Sequence, residues 1–380
     1  MDHIIKALDE MLHAGRHAEL ETASRALLAE RRFYLWHLYL LTALLRTGQR
    51  AAAERELDIL FSYKFNIADR AWPEIKAAFP EKFSAHYILS TMKPGLSFEA
   101  LGMARRHWEV PCPIPDEAAF AATVDAMLAE SVPARPLLDR ARARVTTFGS
   151  CFAANLAREL KAAGVDATNL LIEESINSPL ANRAFLDALA RGGESARAQR
   201  IESTFGAGFI ERARAQIASA QVVVMTLGVA PSFFHRDSHA FAFLEDYRAL
   251  LAKGLVYMRT PTVEENKAVI AEVLELLRTI NPGARLYVSV SPVPLAGTAE
   301  LANAIVADCV SKATLRAALH EVLQGCACPD VHYWPSFEIV RWLGAHSTPP
   351  VFGADDNASR HVSEWVVKLI VERFGRHLFG

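Results

Sequence analysis

A serine and a cysteine stand next to each other at Ser150 and Cys151, between a short apolar run and an amphipathic segment. The apolar run at residues 145–148 predicts a strand that ends at Gly149, and the pattern at 153–163 predicts a helix. A glycine lets the backbone bend sharply, and the first turn of a helix offers N–H groups that favour a thiolate or an oxyanion. Either side chain is therefore a candidate nucleophile, although the Gly-x-Ser-x-Gly pattern of ordinary α/β-hydrolases is missing.

Strands and helices alternate along the chain from about residue 144. Continuous apolar runs, as expected of strands buried on both faces of a parallel sheet, occupy residues 222–226 and 286–290. Longer patterns with helical spacing occupy residues 263–280, 311–323 and 363–374. The alternation predicts an α/β fold with a doubly wound parallel sheet. In such folds sites form beyond the carboxyl ends of the strands.

The first 90 residues show helical periodicity instead. Two turn signals, at residues 14–16 and 47–49, lie 33 positions apart, and an alanine-rich amphipathic segment follows each. That spacing is close to the tetratricopeptide period of about 34. The sequence predicts an all-α region of helical hairpins over 1–92. Two interpretations remain open: a tetratricopeptide-like surface that binds a protein partner, or a plain helical cap on the rest of the chain.

Residues 93–143 are expected to connect this region to an α/β domain over 144–380. Three prolines within residues 111–115 exclude a helix interior there. Asp116 is then in position to cap a helix that runs to about Met127.

The composition of the chain argues against several classes of protein. Of its 380 residues, 51% are hydrophobic and 22% charged, which favours a well-packed globular protein. The net charge of −2 gives no support for nucleic-acid binding. No apolar run approaches the roughly 18 residues of a membrane span, and the N-terminus has no apolar core of a signal peptide. Since the five cysteines are few and scattered, we expect thiols in a cytoplasmic protein.

A metal site is not predicted. Cys326 and Cys328 form only a Cys-x-Cys pair, without the second pair of ligands that a zinc site needs. His235 and His239 follow the predicted strand at 222–226, and we interpret them as part of a polar loop over the site.

The segment Gly-Ser-Cys-Phe-Ala at residues 149–153 resembles the pentapeptide for which the GSCFA family is named. Six further motifs of that family follow in the same order. They are a turn with Asn and Pro, Thr-Leu-Gly at a strand end, Ser-Pro-Val, Ser-Lys-x-x-Leu-Arg at a helix start, an aromatic-Pro-Ser-aromatic-Glu run, and Arg-His-Val before the last helix. These motifs occupy residues 176–179, 226–228, 290–295, 311–316, 333–339 and 360–362. None of the N-terminal helices takes part in the resemblance.

The GSCFA family is similar to the SGNH, or GDSL-like, hydrolases, which have a flavodoxin-like sheet, a nucleophile after the first strand and a histidine before the last helix. The resemblance implies an acyl-group enzyme, either a carboxyl-ester hydrolase or an O-acyltransferase, acting on a small molecule or a glycan. Kinship with polysaccharide-biosynthesis enzymes suggests the glycan. His361 would be the general base. No resident cofactor is implied, and acetyl-CoA would be the acyl donor of a transferase.

The resemblance also bears on the nucleophile. In Gly-Asp-Ser proteins the serine lies two residues after the glycine, and the same count from Gly149 gives Cys151, with Ser150 at the aspartate position. A related group of capsule-biosynthesis acetyltransferases has Gly-Asn-Cys-Gln, which again places a cysteine there. Cys151 is therefore favoured, and Ser150 is the alternative.

The sequence departs from the SGNH pattern at the catalytic acid. The aspartate that should lie three residues before the histidine is Ala358 here. Asp355 and Asp356 stand slightly further from His361, and we expect Asp356 to orient the imidazole.

A second departure concerns the oxyanion hole. The asparagine expected two residues after Gly228 is Ala230, so the resemblance leaves Asn177, together with the Cys151 N–H, to stabilise an oxyanion. Gly149, Gly228 and Arg360 are expected at the same site.

The two departures motivate a competing interpretation. The α/β domain would then be a degenerate scaffold, and the protein would be a non-catalytic interaction protein that binds partners through its N-terminal helices.

Overall fold

The structure is a computed structural model that describes residues 2–30, 33–62, 72–83, 110–170, 176–192, 195–325 and 330–380. The described residues form two compact units, which lie within Met1–Glu109 and Val110–Gly380. The domain boundaries predicted at 92/93 and 143/144 stay predictions. Cys326 and Cys328 lie outside the described residues.

Every described element of the first unit is helical. The helices are α1 Asp2–His13, α2 His17–Glu30, α3 Tyr34–Arg46, α4 Arg50–Ser62 and α5 Trp72–Ala78, followed by a 3₁₀ turn at Pro80–Phe83.

The turns that join α1 to α2 and α3 to α4 have the same backbone geometry. Gly15 and Gly48 have φ of +69° and +77°, which glycine adopts at no steric cost. In the first turn the Arg16 N–H donates to the Met11 carbonyl at 2.9 Å, and in the second the Gln49 N–H donates to the Leu44 carbonyl at 2.8 Å. Both are the bond that ends a helix in a Schellman motif. The 33-residue spacing of the turns is therefore a spacing between like helical hairpins, and their assignment as tetratricopeptide-like remains a prediction.

The second unit alternates strands with helices. Its elements are α6 Glu117–Ser131, β1 Arg144–Phe148, α7 Cys151–Ala162, β2 Asp166–Asn169, α8 Pro179–Arg191, α9 Ala196–Phe205, α10 Phe209–Ser219, β3 Val222–Leu227, β4 Ser232–His235, α11 Tyr247–Ala252, β5 Val256–Arg259, α12 Val263–Ile280, β6 Arg285–Val290, α13 Ala304–Gly325, β7 Val331–Tyr333, α14 Ser336–Glu338, a π turn Ile339–Leu343, a 3₁₀ turn Gly344–His346 and α15 Glu364–Phe379. Across the described ranges, no helix is both long and apolar enough to cross a membrane.

Five strands form a parallel sheet in the order β2-β1-β3-β6-β7. This order confirms the predicted flavodoxin-like, doubly wound sheet. The chain leaves β1 toward β2 on one side and continues to β3 on the other, so the strand order reverses at β1 and β3. A crevice forms at such a point, beyond the carboxyl ends of the two strands. Strands β4 and β5 pair antiparallel in a separate sheet, which the sequence did not predict.

Hydrophobic cores cover both faces of the five-stranded sheet. Alternate residues of β3 point to opposite sides, so that Val223 and Met225 pack with helices α8, α9, α10, α12 and α13. Val222 and Val224 pack on the other face with α6, α7 and α15. A strand buried on both faces is apolar throughout, which is why the run at 222–226 predicted β3 well.

The prediction that Ser311 opens a helix is wrong. Helix α13 begins at Ala304, and the side chain of Asn303 accepts the N–H groups of Ile305 and Val306 at 2.8 and 3.1 Å. Ile305 and Val306 are exposed, so the amphipathic pattern on which the prediction depended starts only after them. Ser311 therefore lies about two turns inside the helix.

We expect Gly149→Ala to destabilise the α/β unit far more than Gly164→Ala. Both glycines have positive φ, at +117° and +82°, but a Cβ on Gly149 would lie 2.1 Å from the Thr226 carbonyl oxygen, whereas nothing lies within 4 Å of one on Gly164. Backbone strain and the clash with a rigid strand should together cost about 3 kcal/mol at Gly149, against about 1 kcal/mol at Gly164. Urea unfolding of both variants measures the difference, and equal losses would contradict this account of the turn.

Candidate active site

The turn after β1 is fastened to strand β3 through Thr226. The Ser150 N–H donates to the Thr226 Oγ1 at 2.8 Å, and the hydroxyl oxygens of Ser150 and Thr226 are also 2.8 Å apart. The Ser150 Oγ accepts the N–H of Phe152 at 3.3 Å, which makes Ser150 the N-cap of α7. The Ser150 hydroxyl is thus part of the support of the turn.

Cys151 is the first residue of α7, and its side chain is exposed. It lines a cleft of about 470 Å³. The positive end of the helix dipole lies at this position, where it favours a negative charge on sulfur or oxygen.

Asn177 and Gly228 contact each other where they line the cleft. The carbonyl of Asn177 accepts the N–H of Gly228 at 2.8 Å. A Cβ on Gly228 would lie 2.8 Å from the Asn177 Cβ, so only glycine permits this approach. Within the described part of the chain, no hydrogen bond engages the Asn177 side-chain amide. That amide is available to a ligand in the cleft.

Arg360 reaches the same cleft from the loop before α15. Its Nε and Nη2 donate to the Pro294 carbonyl at 3.1 and 3.0 Å, which fixes the guanidinium against the loop after β6. Five of the residues predicted for the site therefore line one cleft: Ser150, Cys151, Asn177, Gly228 and Arg360. Gly149 forms the turn immediately before them.

His361 and Asp356 form a hydrogen-bonded pair in the same loop. The Asp356 Oδ2 lies 2.5 Å from the His361 Nδ1, and the side chains are 45% and 65% exposed. The hydrogen bond from His361, followed by one from the Ala358 N–H, lowers the pKa of Asp356. Among the described residues, those that line the cleft include Arg360 but not His361 or Asp356. The catalytic roles of the pair remain predictions.

The neighbouring Asp355 does not bind His361 but contacts the start of helix α15. Its Oδ2 accepts the backbone N–H of Glu364 at 2.7 Å, at the start of α15. An aspartate there satisfies an otherwise unpaired donor of the first helical turn. The geometry thus separates two adjacent aspartates that the sequence left nearly equivalent.

Two residues that were singled out only as a family motif support the cleft from helix α13. Ser311 Oγ accepts the Ala230 N–H at 2.9 Å, and Lys312 Nζ donates to the Gly228 carbonyl at 2.5 Å. Lys312 is buried, with 2% of its surface exposed. Burial lowers the pKa of Lys312 to about 8. The Ser-Lys motif was visible in the sequence, but its contact with residues 228–230 was not.

Sequence reasoning also missed the outer wall of the cleft. It is built from β4, β5, α11 and the loop after β6, with the side chains Phe233, Tyr247, Arg248, Leu251, Met258, Val293 and Leu295. The rings of Phe233 and Tyr247 stack with centroids 4.7 Å apart. No local motif marks these residues, because short strands β4 and β5 lack a strong apolar alternation.

The two histidines near the cleft are held by other side chains. His235 Nε2 lies 3.3 Å from a Glu245 carboxylate oxygen, and His239 Nδ1 lies 3.1 Å from the Tyr257 hydroxyl. His235 ends strand β4, so only His239 stands in the loop that was predicted for both. The described residues contain no cluster of three or more His, Cys, Asp or Glu side chains that is suited to a metal ion.

The fold and cleft define a flavodoxin-like α/β protein with a Ser-Cys pair at the point where the strand order reverses. Residues 197–374 match the model of the GSCFA family, which confirms the resemblance predicted from the motifs for that part of the chain. The segments at 149–153 and 176–179 lie outside the matched range, so the match depends on the later motifs.

No curated protein matches the sequence. A crystal structure of a carbohydrate esterase family 2 enzyme with its carbohydrate-binding domain, from Corynascus thermopiles (Myceliophthora fergusii), aligns with 15% identity and a TM-score of 0.35. The alignment covers 64% of this chain and 67% of that one.

We expect His361→Ala to raise the pKa of Asp356, because it removes the hydrogen bond between the two side chains. Since that bond is the largest cause of the lowered pKa of Asp356, its loss should raise the carboxyl pKa toward the ordinary value of about 3.9. A ¹³C NMR titration of the Asp356 carboxyl measures the change. His320→Ala, on the exposed face of α13, is the matched control and should leave the titration as it is. An unchanged titration in His361→Ala would show that the pair does not exist in solution.

Proposed function

We propose that the α/β unit is an acyl-group enzyme, a carboxyl-ester hydrolase or O-acyltransferase, with Cys151 as its nucleophile. The observation that carries the proposal is the placement of the Cys151 thiol. It stands at the first residue of a helix, directly after the first strand, and lines a cleft with Asn177, Gly228 and Arg360. A thiol at a helix N-terminus ionises more readily than one elsewhere.

The surroundings of Ser150 favour the thiol over the hydroxyl. Ser150 caps helix α7 and its Oγ lies 2.8 Å from the Thr226 Oγ1. A serine nucleophile needs a base within hydrogen-bond reach of its Oγ, whereas this hydroxyl is held by the turn. Cys151, the next residue, is exposed.

His361 is the general base of this proposal, and Asp356 orients it. With Nδ1 directed at the Asp356 carboxylate, Nε2 is left to take a proton from the nucleophile and return it to the leaving group. Arg360, the adjacent residue, lines the cleft. In this proposal the His361 imidazole must reach the Cys151 sulfur during turnover.

The reaction then needs two steps. The Cys151 sulfur attacks the acyl carbonyl carbon, its proton goes to His361, and the carbon–oxygen bond of the ester breaks as His361 protonates the departing alcohol. With acetyl-CoA as the donor, the bond that breaks in this step is the carbon–sulfur bond of the thioester, and the CoA thiol takes the proton. In the second step His361 takes a proton from water, or from a sugar hydroxyl in a transferase, and that oxygen attacks the carbonyl carbon of the acyl-Cys151 thioester. The carbon–sulfur bond then breaks, and His361 returns the proton to the Cys151 sulfur. In this proposal the Asn177 amide and the Cys151 N–H stabilise the oxyanion of each step.

The cleft also suggests a class of substrate. Phe233, Leu251 and Met258 offer an apolar wall for an acyl group, while Arg248 and Arg360 offer donors to polar oxygens. This combination suits an acylated glycan or small polar ester. For a transferase, acetyl-CoA would be the donor.

Activity assays of single-residue variants test the proposal. A screen with p-nitrophenyl acyl esters, and with acetyl-CoA plus glycan acceptors, should give turnover that Cys151→Ala, His361→Ala and Asn177→Ala each reduce. We expect losses of about 10²-fold or more for the oxyanion donor and larger ones for the nucleophile. Ser150→Ala should retain more turnover than Cys151→Ala.

Two results would contradict the proposal. Loss of activity in Ser150→Ala with normal activity in Cys151→Ala would make serine the nucleophile. Equal activity of both variants and wild type would favour the scaffold interpretation, in which the helical unit binds a protein partner.

A further inference from the structure

Lys312 is a buried cation beneath the cleft, and the reaction described above does not use it. The side chain leaves the interior of α13, and its Nζ meets the carbonyl of Gly228 at 2.5 Å. Only 2% of the residue is exposed. An ammonium group out of contact with water is costly unless other groups compensate its charge.

The compensation around Lys312 is incomplete. Burial is the main cause that lowers its pKa to about 8, and the positive charges of Arg341 and Arg360 act in the same direction. Asp308 on α13 and Cys151 on α7 oppose them by favouring the charged form. The Asp308 carboxylate is shared, since its Oδ2 accepts from Arg341 at 2.8 Å and its Oδ1 from the Leu295 N–H at 2.8 Å. Gly228, which Lys312 contacts, and Cys151 line the same cleft. After Asp308, the sulfur of Cys151 is the next negative group that favours the charged form of Lys312.

Charge coupling between two groups is reciprocal. If the thiolate of Cys151 favours the protonated form of Lys312, the ammonium of Lys312 favours the thiolate by the same free energy. Lys312 is buried, so its charge is screened less than a surface charge would be, while Cys151 is exposed in the cleft.

We propose that Lys312 is a positioning residue that stabilises the Cys151 thiolate from beneath the cleft and holds the Gly228 turn against it. The two effects come from the charge of its ammonium group and from its hydrogen bond to Gly228. The assignment rests on the proposed function only in making Cys151 the nucleophile, since the coupling itself is a property of the folded chain.

Two variants of Lys312 distinguish the effect of its charge from the effect of its hydrogen bond to Gly228. Lys312→Gln keeps an N–H donor for the Gly228 carbonyl but removes the charge, and Lys312→Met removes both. Lys267→Gln, which removes a partly exposed lysine paired with Glu321, is the matched control. The readout is the rate at which iodoacetamide alkylates Cys151, followed by peptide mass spectrometry as a function of pH, because only the thiolate reacts.

An opposite charge close to an acid commonly lowers its pKa by about 1 unit or more. We therefore expect Lys312→Gln to slow alkylation of Cys151 at pH 7 about tenfold and to move the rate profile to higher pH. Lys312→Met should shift it at least as far, and Lys267→Gln should follow wild type. A profile in folded Lys312→Gln that coincides with wild type would overturn the proposal.

A second measurement does not depend on how the Lys312 variants fold. The pKa of Lys312, followed through its ¹⁵Nζ resonance, should fall in Cys151→Ala, because the favourable charge on the sulfur is gone. An unchanged Lys312 titration in that variant would equally reject the coupling.

The outcomes also distinguish this inference from the proposed function. Slowed alkylation in Lys312→Gln, with full turnover in Cys151→Ala, would keep the coupling and reject the nucleophile. Loss of turnover in Cys151→Ala, with unchanged alkylation in Lys312→Gln, would keep the nucleophile and reject the role of Lys312.

Discussion

The close approach of strand β1 to strand β3 at Gly149 is the constraint on which the site depends. Gly149, with φ of +117°, lies so near Thr226 that there is no room for a side chain. This approach lets Thr226 bind both the N–H and the hydroxyl of Ser150, and Ser150 in turn caps α7. The position of Cys151 at the helix N-terminus follows from these contacts, so the candidate nucleophile is held by the pairing of two central strands.

Local hydrophobic patterns in the sequence predicted the strands that are buried on both faces of the sheet. Strand β3 is apolar at nearly every position, and the turn at Gly149 is marked by its glycine, so both could be located from the sequence. Helix α13 was predicted too short because its first exposed turn carries Ile305 and Val306, which obscure the amphipathic pattern. Strands β4 and β5 are four residues each and half-buried, and their pairing is a long-range contact that no local pattern records.

Contacts in the folded structure distinguish residues whose roles the motifs alone could not separate. Asp355 and Asp356 are equivalent by residue type, yet one caps α15 and the other binds His361. Ser311 and Lys312 were recognisable only as a family motif, since their partners Ala230 and Gly228 lie about 80 positions earlier in the chain. The sequence identifies the side chains, but only the fold shows which backbone groups they bind.

The outer wall of the cleft belongs to a separate small sheet. Phe233 comes from β4 and Met258 from β5, and these strands pair with each other in a sheet separate from the five strands that support Cys151. This wall of the cleft and the turn that holds Cys151 are thus built by different hydrogen-bond ladders. Under the proposed function, substitutions in the segment from β4 to β5 would change which acyl chain fits while the contact of Gly149 with Thr226 stays in place. Relatives that share the Ser-Cys turn would then diverge first in this wall, so that their substrates would differ while the reaction stayed the same.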